Sequence, residues 1–454
     1  MGPGISAGSA SLKKNRSARP PQTKKPVADR AFVLAETQRL ASLQRLEEAE
    51  RLLAEHPDDM ECVFRRGALL MTLENWAEAE ACFRRTFAAA PSHFDSAMGL
   101  AGALMEQGRA ALAMPLLDAA ARAAPNSGRV RYFRAVALDE TGRADEAAAE
   151  IDTARALLVA PAERRDLIPW EVYVQISRRC NLRCAMCGHE VWKTNSGFME
   201  WPVFDRVLEQ CAANGIKKIN ILAGQGEPFL HPQIFEMLEK AIGAGFEVHI
   251  VTNGTPLTPE RIERVAKLGL ASLQFSFAGW DKESYERTYV GAKFERTLAN
   301  LLQLQTATRG TKTDFFVKAV VTDDDWAEVS RRTRAFLAAQ GVERIFTVAA
   351  NNFGGNVALG KFSERHGVHS LKNLEHHRRM PCRVLLTAIG VFCDGTVTAC
   401  GCYDSNAELK IGDIMENSLA EIRNGEPFRR LLAAHRGGNL DGVPMCAKCD
   451  DVFG

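Results

Sequence analysis

Apolar positions recur at helical spacing from about residue 36 to 165, where alanine is dense. The stretch also repeats. Pro57, Pro91 and Pro125 stand 34 residues apart, Ala79, Ala113 and Ala147 keep the same step, and so do Gly108 and Gly142. Between them fall Gly67, Leu70 and Phe83, then Leu100, Leu104 and Leu117, then Leu138 and Ile151. From about 168 the pattern changes to short apolar runs alternating with amphipathic segments. It predicts strands near 171–177, 217–222, 246–251, 272–277, 314–321 and 343–349. Helices are expected near 201–213, 232–243, 258–268, 282–306 and 325–339. Helix 258–268 has clear ends, with Thr258 as N-cap, Pro259 in the first turn and Gly269 just beyond. Six strand–helix units predict a parallel sheet, too few for a closed eight-fold barrel. A partial barrel or an open sheet is expected, with function at the C-terminal ends of its strands.

From about 380 to 454 the texture is rich in cysteine and glycine with short elements, a unit that needs a metal staple. At the other end, Lys13, Lys14, Arg16, Arg19, Lys24, Lys25 and Arg30 face one acid, Asp29, and Pro20, Pro21 and Pro26 interrupt any helix. The expected division is therefore a disordered basic tail over 1–30, helical repeats over 31–165, an α/β core over 168–350 and a cysteine-rich unit over 380–454.

Composition narrows the class. The 454 residues are 46% hydrophobic and 25% charged, which excludes wholesale disorder. Lys and Arg number 57 against 56 Asp and Glu, so no global field draws the chain to nucleic acid or membrane. No run of 18 apolar residues occurs, and the basic N-terminus lacks the apolar stretch of a secretory signal. A cytoplasmic location is expected. There, twelve cysteines point to metal or redox chemistry and not to a disulfide framework. Cys62, Cys82 and Cys211 lie on predicted helices and read as core.

The 34-residue unit resembles the tetratricopeptide repeat (TPR), a pair of antiparallel helices. Small residues let the two helices approach, and the proline opens the turn. Segment 36–56 reads as a degenerate half-repeat that caps the stack. Such a solenoid implies a groove for a peptide or protein partner.

Strand 171–177 runs into Cys180, Cys184 and Cys187 with the spacing C-x3-C-x2-C. Three thiolates on one loop cannot fill a tetrahedral zinc site alone, but they can hold three irons of a 4Fe-4S cluster and leave the fourth open. Strand 217–222 ends in Ala223-Gly224-Gln225-Gly226-Glu227-Pro228, the next strand in Thr252-Asn253-Gly254, and the next in Ser276-Phe277-Ala278-Gly279. Segment 168–350 thus resembles the radical S-adenosylmethionine superfamily. The resemblance implies that Cys180, Cys184 and Cys187 bind a 4Fe-4S cluster whose open iron is chelated by S-adenosylmethionine. It implies cofactor contacts from Gly226, Glu227 and Pro228, with Glu227 meeting the amino group, and from Asn253 and Ser276. Gln225 departs from the usual glycine, and Met186 stands where an aromatic residue is commonest. Lys318 interrupts an apolar strand; it either meets the cofactor carboxylate or points to solvent at the barrel edge.

Cys382-x12-Gly395-x4-Cys400 and the later Cys446-x2-Cys449 resemble the auxiliary-cluster extension called SPASM or twitch. The resemblance implies one auxiliary 4Fe-4S cluster held by Cys382, Cys400, Cys446 and Cys449, with Cys402 able to displace Cys400. Four such cysteines also suit structural zinc. Cys393 and Cys402 are spare thiols, candidate hydrogen donors if the reaction is an epimerisation. Arg287 reads as an ion-pair residue, and His231, His376 and His377 have no partner spacing.

The family resemblance implies reductive cleavage of S-adenosylmethionine to a 5′-deoxyadenosyl radical, fed by an external flavodoxin- or ferredoxin-type donor. Hydrogen abstraction would then lead to oxidation or epimerisation of a sugar or polyol. The alternative is a maturase acting on a peptide or protein recruited by the repeats. A non-enzymatic scaffold with two structural metal sites is the remaining reading.

Overall fold

The computed structural model describes residues 30–42, 45–164, 169–192, 197–221, 226–322, 325–353, 380–401 and 403–449. The tail before residue 30, Leu222 to Gln225, His376, His377 and Cys402 lie outside the described residues.

The N-terminal part is a stack of helices: α1 (Arg30–Ser42), α2 (Leu46–Ala54), α3 (Met60–Thr72), α4 (Trp76–Ala89), α5 (Phe94–Glu106), α6 (Ala110–Ala123), α7 (Gly128–Glu140) and α8 (Ala144–Arg164). The repeat is visible in the caps. Asp59, His93 and Ser127, each 34 residues on, accept the backbone N–H of Cys62, Ser96 and Val130 and start α3, α5 and α7. The turns that end those helices place Gly108 and Gly142 at positive φ, and the equivalent position in the first unit is Glu74 at φ 58°. Glu80, 5% exposed, ties neighbouring units by accepting from Arg109 and Gln107, both at 2.8 Å, and also accepts from Arg84 one turn on along its own helix. The segment expected as one capping half-repeat over 36–56 is two helices, α1 and α2.

The second part is one nine-stranded sheet: β1 (Glu171–Val174), β2 (Lys218–Ile221), β3 (Glu247–Thr252), β4 (Ser272–Ser276), β5 (Asp314–Val321), β6 (Ile345–Ala349), β7 (Ala388–Val391), β8 (Thr396–Thr398) and β9 (Lys410–Asp413). Its order is β6-β5-β4-β3-β2-β1-β7-β8-β9. The sheet is an open partial barrel. Strands β1 to β7 pair in parallel and the last two pairings are antiparallel.

Two differences from the sequence reading have physical causes. The cysteine-rich segment adds strands to the core's own sheet, since β7 pairs with β1 in parallel register, Glu171 to Ala388 and Val174 to Val391. That pairing spans more than 200 residues and leaves no local trace. The helix expected over 282–306 is two helices, α12 (Lys282–Thr288) and α13 (Phe294–Thr308), parted at Gly291, whose φ is +98°.

Alternation along the strands separates two faces. Val172, Val174, Ile219, Ile221, Val248, Ile250, Leu273, Phe275, Val317 and Ala319 are at most 1% exposed and pack in one core with α9 (Trp201–Ala213), α10 (Ile234–Gly243) and α11 (Pro259–Leu268). The opposite face carries Glu171, Tyr173, Lys218, Asn220, His249, Ser272, Gln274, Ser276 and Lys318, a mostly polar lining for the partial barrel that Val251, Phe316, Val320 and Phe346 interrupt. Among the described residues no helix is long and apolar enough to cross a membrane.

Candidate functional site

The site gathers where the strands end. Past β1 the chain crosses to Phe198 in an isolated bridge at Ser177, whose Oγ accepts the Arg179 N–H and donates to the Arg179 carbonyl. The cysteine loop follows. Leu182 and Met186, 2% and 8% exposed, anchor it in the core, and the N–H groups of Arg183 and Ala185 donate to the carbonyls of Val290 and Thr288, each at 2.9 Å. These anchors leave Cys180, Cys184 and Cys187 half-buried and outside any disulfide.

Gly226, Glu227 and Pro228 close over the same loop. A Cβ on Gly226 would lie 1.8 Å from the Ser177 carbonyl oxygen, so only glycine lets the two chains meet. The Glu227 N–H donates to the Arg179 carbonyl at 2.8 Å. Its carboxylate is fully buried. Oε1 accepts from Thr252 Oγ1 at 2.8 Å and from the Phe229 N–H at 3.1 Å, and Oε2 accepts from the Asn253 N–H at 2.8 Å. Burial nevertheless pushes its pKa up to about 7, against those hydrogen bonds. Glu227 therefore locks the ends of β2 and β3 together, a role the sequence reading did not assign.

Asn253 completes the junction. Its Nδ2 lies 3.8 Å from Cys180 Sγ and 3.3 Å from Asn181 Oδ1, while its Oδ1 accepts from the Thr255 N–H and hydroxyl. Ser276 at the end of β4 pairs with Lys318 on β5, which pairs with Phe346 on β6. Lys318 thus sits on an interior strand, not at an edge. Phe277, Tyr285 and Tyr289 stack at 4.4 Å and 5.0 Å between centroids and wall the Cys184 side.

The three thiols fit an iron–sulfur cluster. Burial pushes Cys180 up to about 11 and raises Cys184 and Cys187, so a metal centre must displace protons to bind. Three thiols on one loop fall one short of a closed tetrahedral zinc site and match the three irons of a 4Fe-4S cluster whose fourth iron is left open.

The C-terminal cysteines come from later elements. Cys382 precedes a short helix, Arg383–Thr387; Cys400 follows β8; Cys446 lies in helix Pro444–Lys448, and Cys449 just after it. All four are half-buried. Burial pushes Cys446 up to about 12, and the nearby Cys382 and Asp404 add to the shift. The fully buried Asp404 braces the adjoining loop by accepting from Thr398 Oγ1 and from the N–H groups of Glu408 and Leu409. Cys393 lies in the β7–β8 turn beside Arg178, with its sulfur 3.6 Å from where a Cβ on Gly197 would stand. Arg178 is 3% exposed, lies between Trp192 and Phe392, and donates to the Ser405 carbonyl. His231 is structural: its Nδ1 accepts the Gln233 N–H at 3.0 Å and its Nε2 meets the Met199 carbonyl at 2.9 Å. Cys62, Cys82 and Cys211 are buried.

Comparison with known proteins assigns families to these segments. Residues 174–332 match the radical SAM superfamily model. This chain carries a radical SAM domain. Residues 382–450 match the SPASM iron–sulfur cluster-binding domain, and 64–128 and 104–163 match tetratricopeptide repeats. The radical SAM domain implies S-adenosylmethionine and a 4Fe-4S cluster, and the SPASM domain implies auxiliary iron–sulfur chemistry.

Curated relatives include a tungsten-containing aldehyde ferredoxin oxidoreductase cofactor-modifying protein of Pyrococcus furiosus, 36% identical over 23% of this chain and 30% of that one. An AdoMet-dependent heme synthase of Methanosarcina barkeri is 35% identical over 33% of this chain and 42% of that one. A PqqA peptide cyclase of Bradyrhizobium diazoefficiens is 30% identical over 26% and 31%. The chain thus spans between 30% and 42% of the length of these relatives. Streptococcus suis SuiB bound to precursor peptide SuiA is similar over 66% of this chain and 82% of that one, at 15% identity and TM-score 0.47.

The residues missed from sequence are those of the polar strand face: Tyr173, Gln175, Asn220, His249 and Gln274. Their signal was present in Glu171-Val172-Tyr173-Val174-Gln175-Ile176-Ser177, a strict polar–apolar alternation.

Proposed function

We propose that this chain is a radical SAM enzyme that modifies a peptide or protein, held by the solenoid while the reacting residue enters the partial barrel. One observation carries the catalytic half: the junction of Cys180, Asn253 and Glu227 stands at the head of a polar strand face. When bound there, the cluster and S-adenosylmethionine supply a 5′-deoxyadenosyl radical able to take hydrogen from an unactivated carbon. The protein's own part is to orient and enclose. Asn253 steadies the Cys180 sulfur, Glu227 fixes two strand ends, and Ser276 and Lys318 offer a hydroxyl and a cation beside them for a carboxylate or ribose.

The peptide half is supported by the repeats and by the peptide cyclases among the relatives. Phe64, Met98 and Tyr132, again 34 residues apart, are half-buried at one phase of α3, α5 and α7 and make an apolar stripe. A peptide substrate therefore has better support than the sugar or polyol expected from the single auxiliary cluster. An external low-potential donor of flavodoxin or ferredoxin type would supply the electron.

Anaerobic reconstitution, dithionite reduction and mass spectrometry for 5′-deoxyadenosine test the chemistry. Formation of 5′-deoxyadenosine is expected; its absence from protein carrying about eight irons per chain would favour the scaffold reading.

A further inference from the structure

The auxiliary site contains a contact that cysteine spacing does not disclose. The backbone N–H of Cys382 donates to Nδ1 of His435 at 3.4 Å. At the far end of the short helix that Cys382 begins, the Arg423 guanidinium donates to the carbonyls of Leu385 at 2.9 Å, Leu386 at 3.1 Å and Ala388 at 3.4 Å, and lies 3.9 Å from the Phe428 ring centroid. Both gripping residues are interior, Arg423 at 0% and His435 at 4% exposure. They come from one helical pair, Leu419–Asn424 and Glu426–Gly437. The element that presents Cys382 is therefore held at both ends by the same neighbour.

We propose that His435 is a positioning residue for the auxiliary cluster that Cys382 would help to hold: by accepting the Cys382 N–H it fixes the turn that presents that sulfur and occupies a donor that would otherwise be open to cluster sulfur. This rests on the reading of Cys382, Cys400, Cys446 and Cys449 as ligands of one auxiliary cluster. Hydrogen bonds to cluster sulfur favour the reduced, more negative state and are among the protein's main controls of reduction potential. An imidazole that takes such a donor away keeps the cluster harder to reduce. With Nδ1 accepting, the ring proton sits on Nε2. His435 acts through Cys382, as outer partners of metal ligands commonly do.

The test uses the full-length chain with Cys180→Ala, Cys184→Ala and Cys187→Ala, so that only the auxiliary cluster is read. Three forms are reconstituted anaerobically and titrated by EPR-monitored potentiometry: this parent, His435→Leu and His435→Gln. The leucine form is expected to reduce more readily, by about tenfold in the reduction equilibrium constant, with altered EPR g values. The glutamine form, whose side-chain oxygen can accept the same N–H, is expected to return toward the parent. A leucine form that keeps its iron with parental potential and spectrum overturns the proposal. So does an equal displacement in both variants, which would trace to packing volume, and so does loss of iron from both. Loss of iron from the leucine form alone supports it. Cys382→Ala in the same background is a separate control: full retention of iron there would break the ligand reading itself.

Discussion

The side-chain amide of Asn253 reaches Cys180 Sγ at 3.8 Å while its own backbone N–H donates to Glu227 at 2.8 Å. One residue thus joins the cluster loop to the carboxylate that locks β2 and β3. Outer partners of metal ligands typically matter by about 10–100-fold in affinity or activity. Asn253→Ala is expected to slow 5′-deoxyadenosine formation within that range while the chain stays folded. Rate and iron content measured on one preparation check this.

The close approach at Gly226 allows no side chain, since a Cβ there would meet the Ser177 carbonyl at 1.8 Å. Backbone must move to relieve it. Gly226→Ala is expected to cost about 3 kcal/mol or more. Urea unfolding monitored by tryptophan fluorescence measures the loss, and a wild-type midpoint would contradict the geometry.

Two metal sites predict divisible iron. Cys184→Ala is expected to abolish 5′-deoxyadenosine formation and leave about four irons, and Cys449→Ala to leave the other four. Colorimetric iron and sulfide counts decide it. Loss of all iron from the Cys449 variant would mean one interdependent centre.

Glu74 adopts φ 58° where Gly108 and Gly142 serve the later units. A side chain in that region costs roughly 1–2 kcal/mol, and glycine returns roughly 0.5–1 of this as unfolded-state entropy. Glu74→Gly is expected to stabilise the chain by about 0.5–1 kcal/mol, read as a raised urea midpoint at constant slope.

Burial holds His231 below its ordinary value of 6.5, against the Met199 carbonyl and the Glu236 charge, which both favour the protonated ring. The unfolded chain takes up this proton as pH falls through about 6.5, and the folded chain resists. Stability carried by the neutral ring is therefore present above 6.5 and lost below it. Melting temperatures between pH 7.5 and 5.5 should fall more steeply for the wild type than for His231→Gln.

The legible parts of this molecule were the local ones. Pro57, Pro91 and Pro125 announce the repeat because each unit is built from its own neighbours. Cys180, Cys184 and Cys187 announce the cluster loop because its ligands lie within eight residues. The pairing of β7 with β1 was not legible, since the register that sets Val172 beside Ile389 leaves no periodicity in either segment. The bonds of Glu227 to Thr252 and of Cys382 to His435 were hidden for the same reason: each joins residues that only the folded sheet and its helices bring together.

Helix α8, at 21 residues, outruns the 9 to 14 residues of the helices before it. Its Val159 belongs to the barrel's apolar core, and its Arg155 guanidinium crowds Gly438 past the end of the helix that carries His435. The array and the redox portion therefore share interior surface. Excising the repeats would tear a hole in what remained, and heating the intact chain should produce one calorimetric peak in place of two.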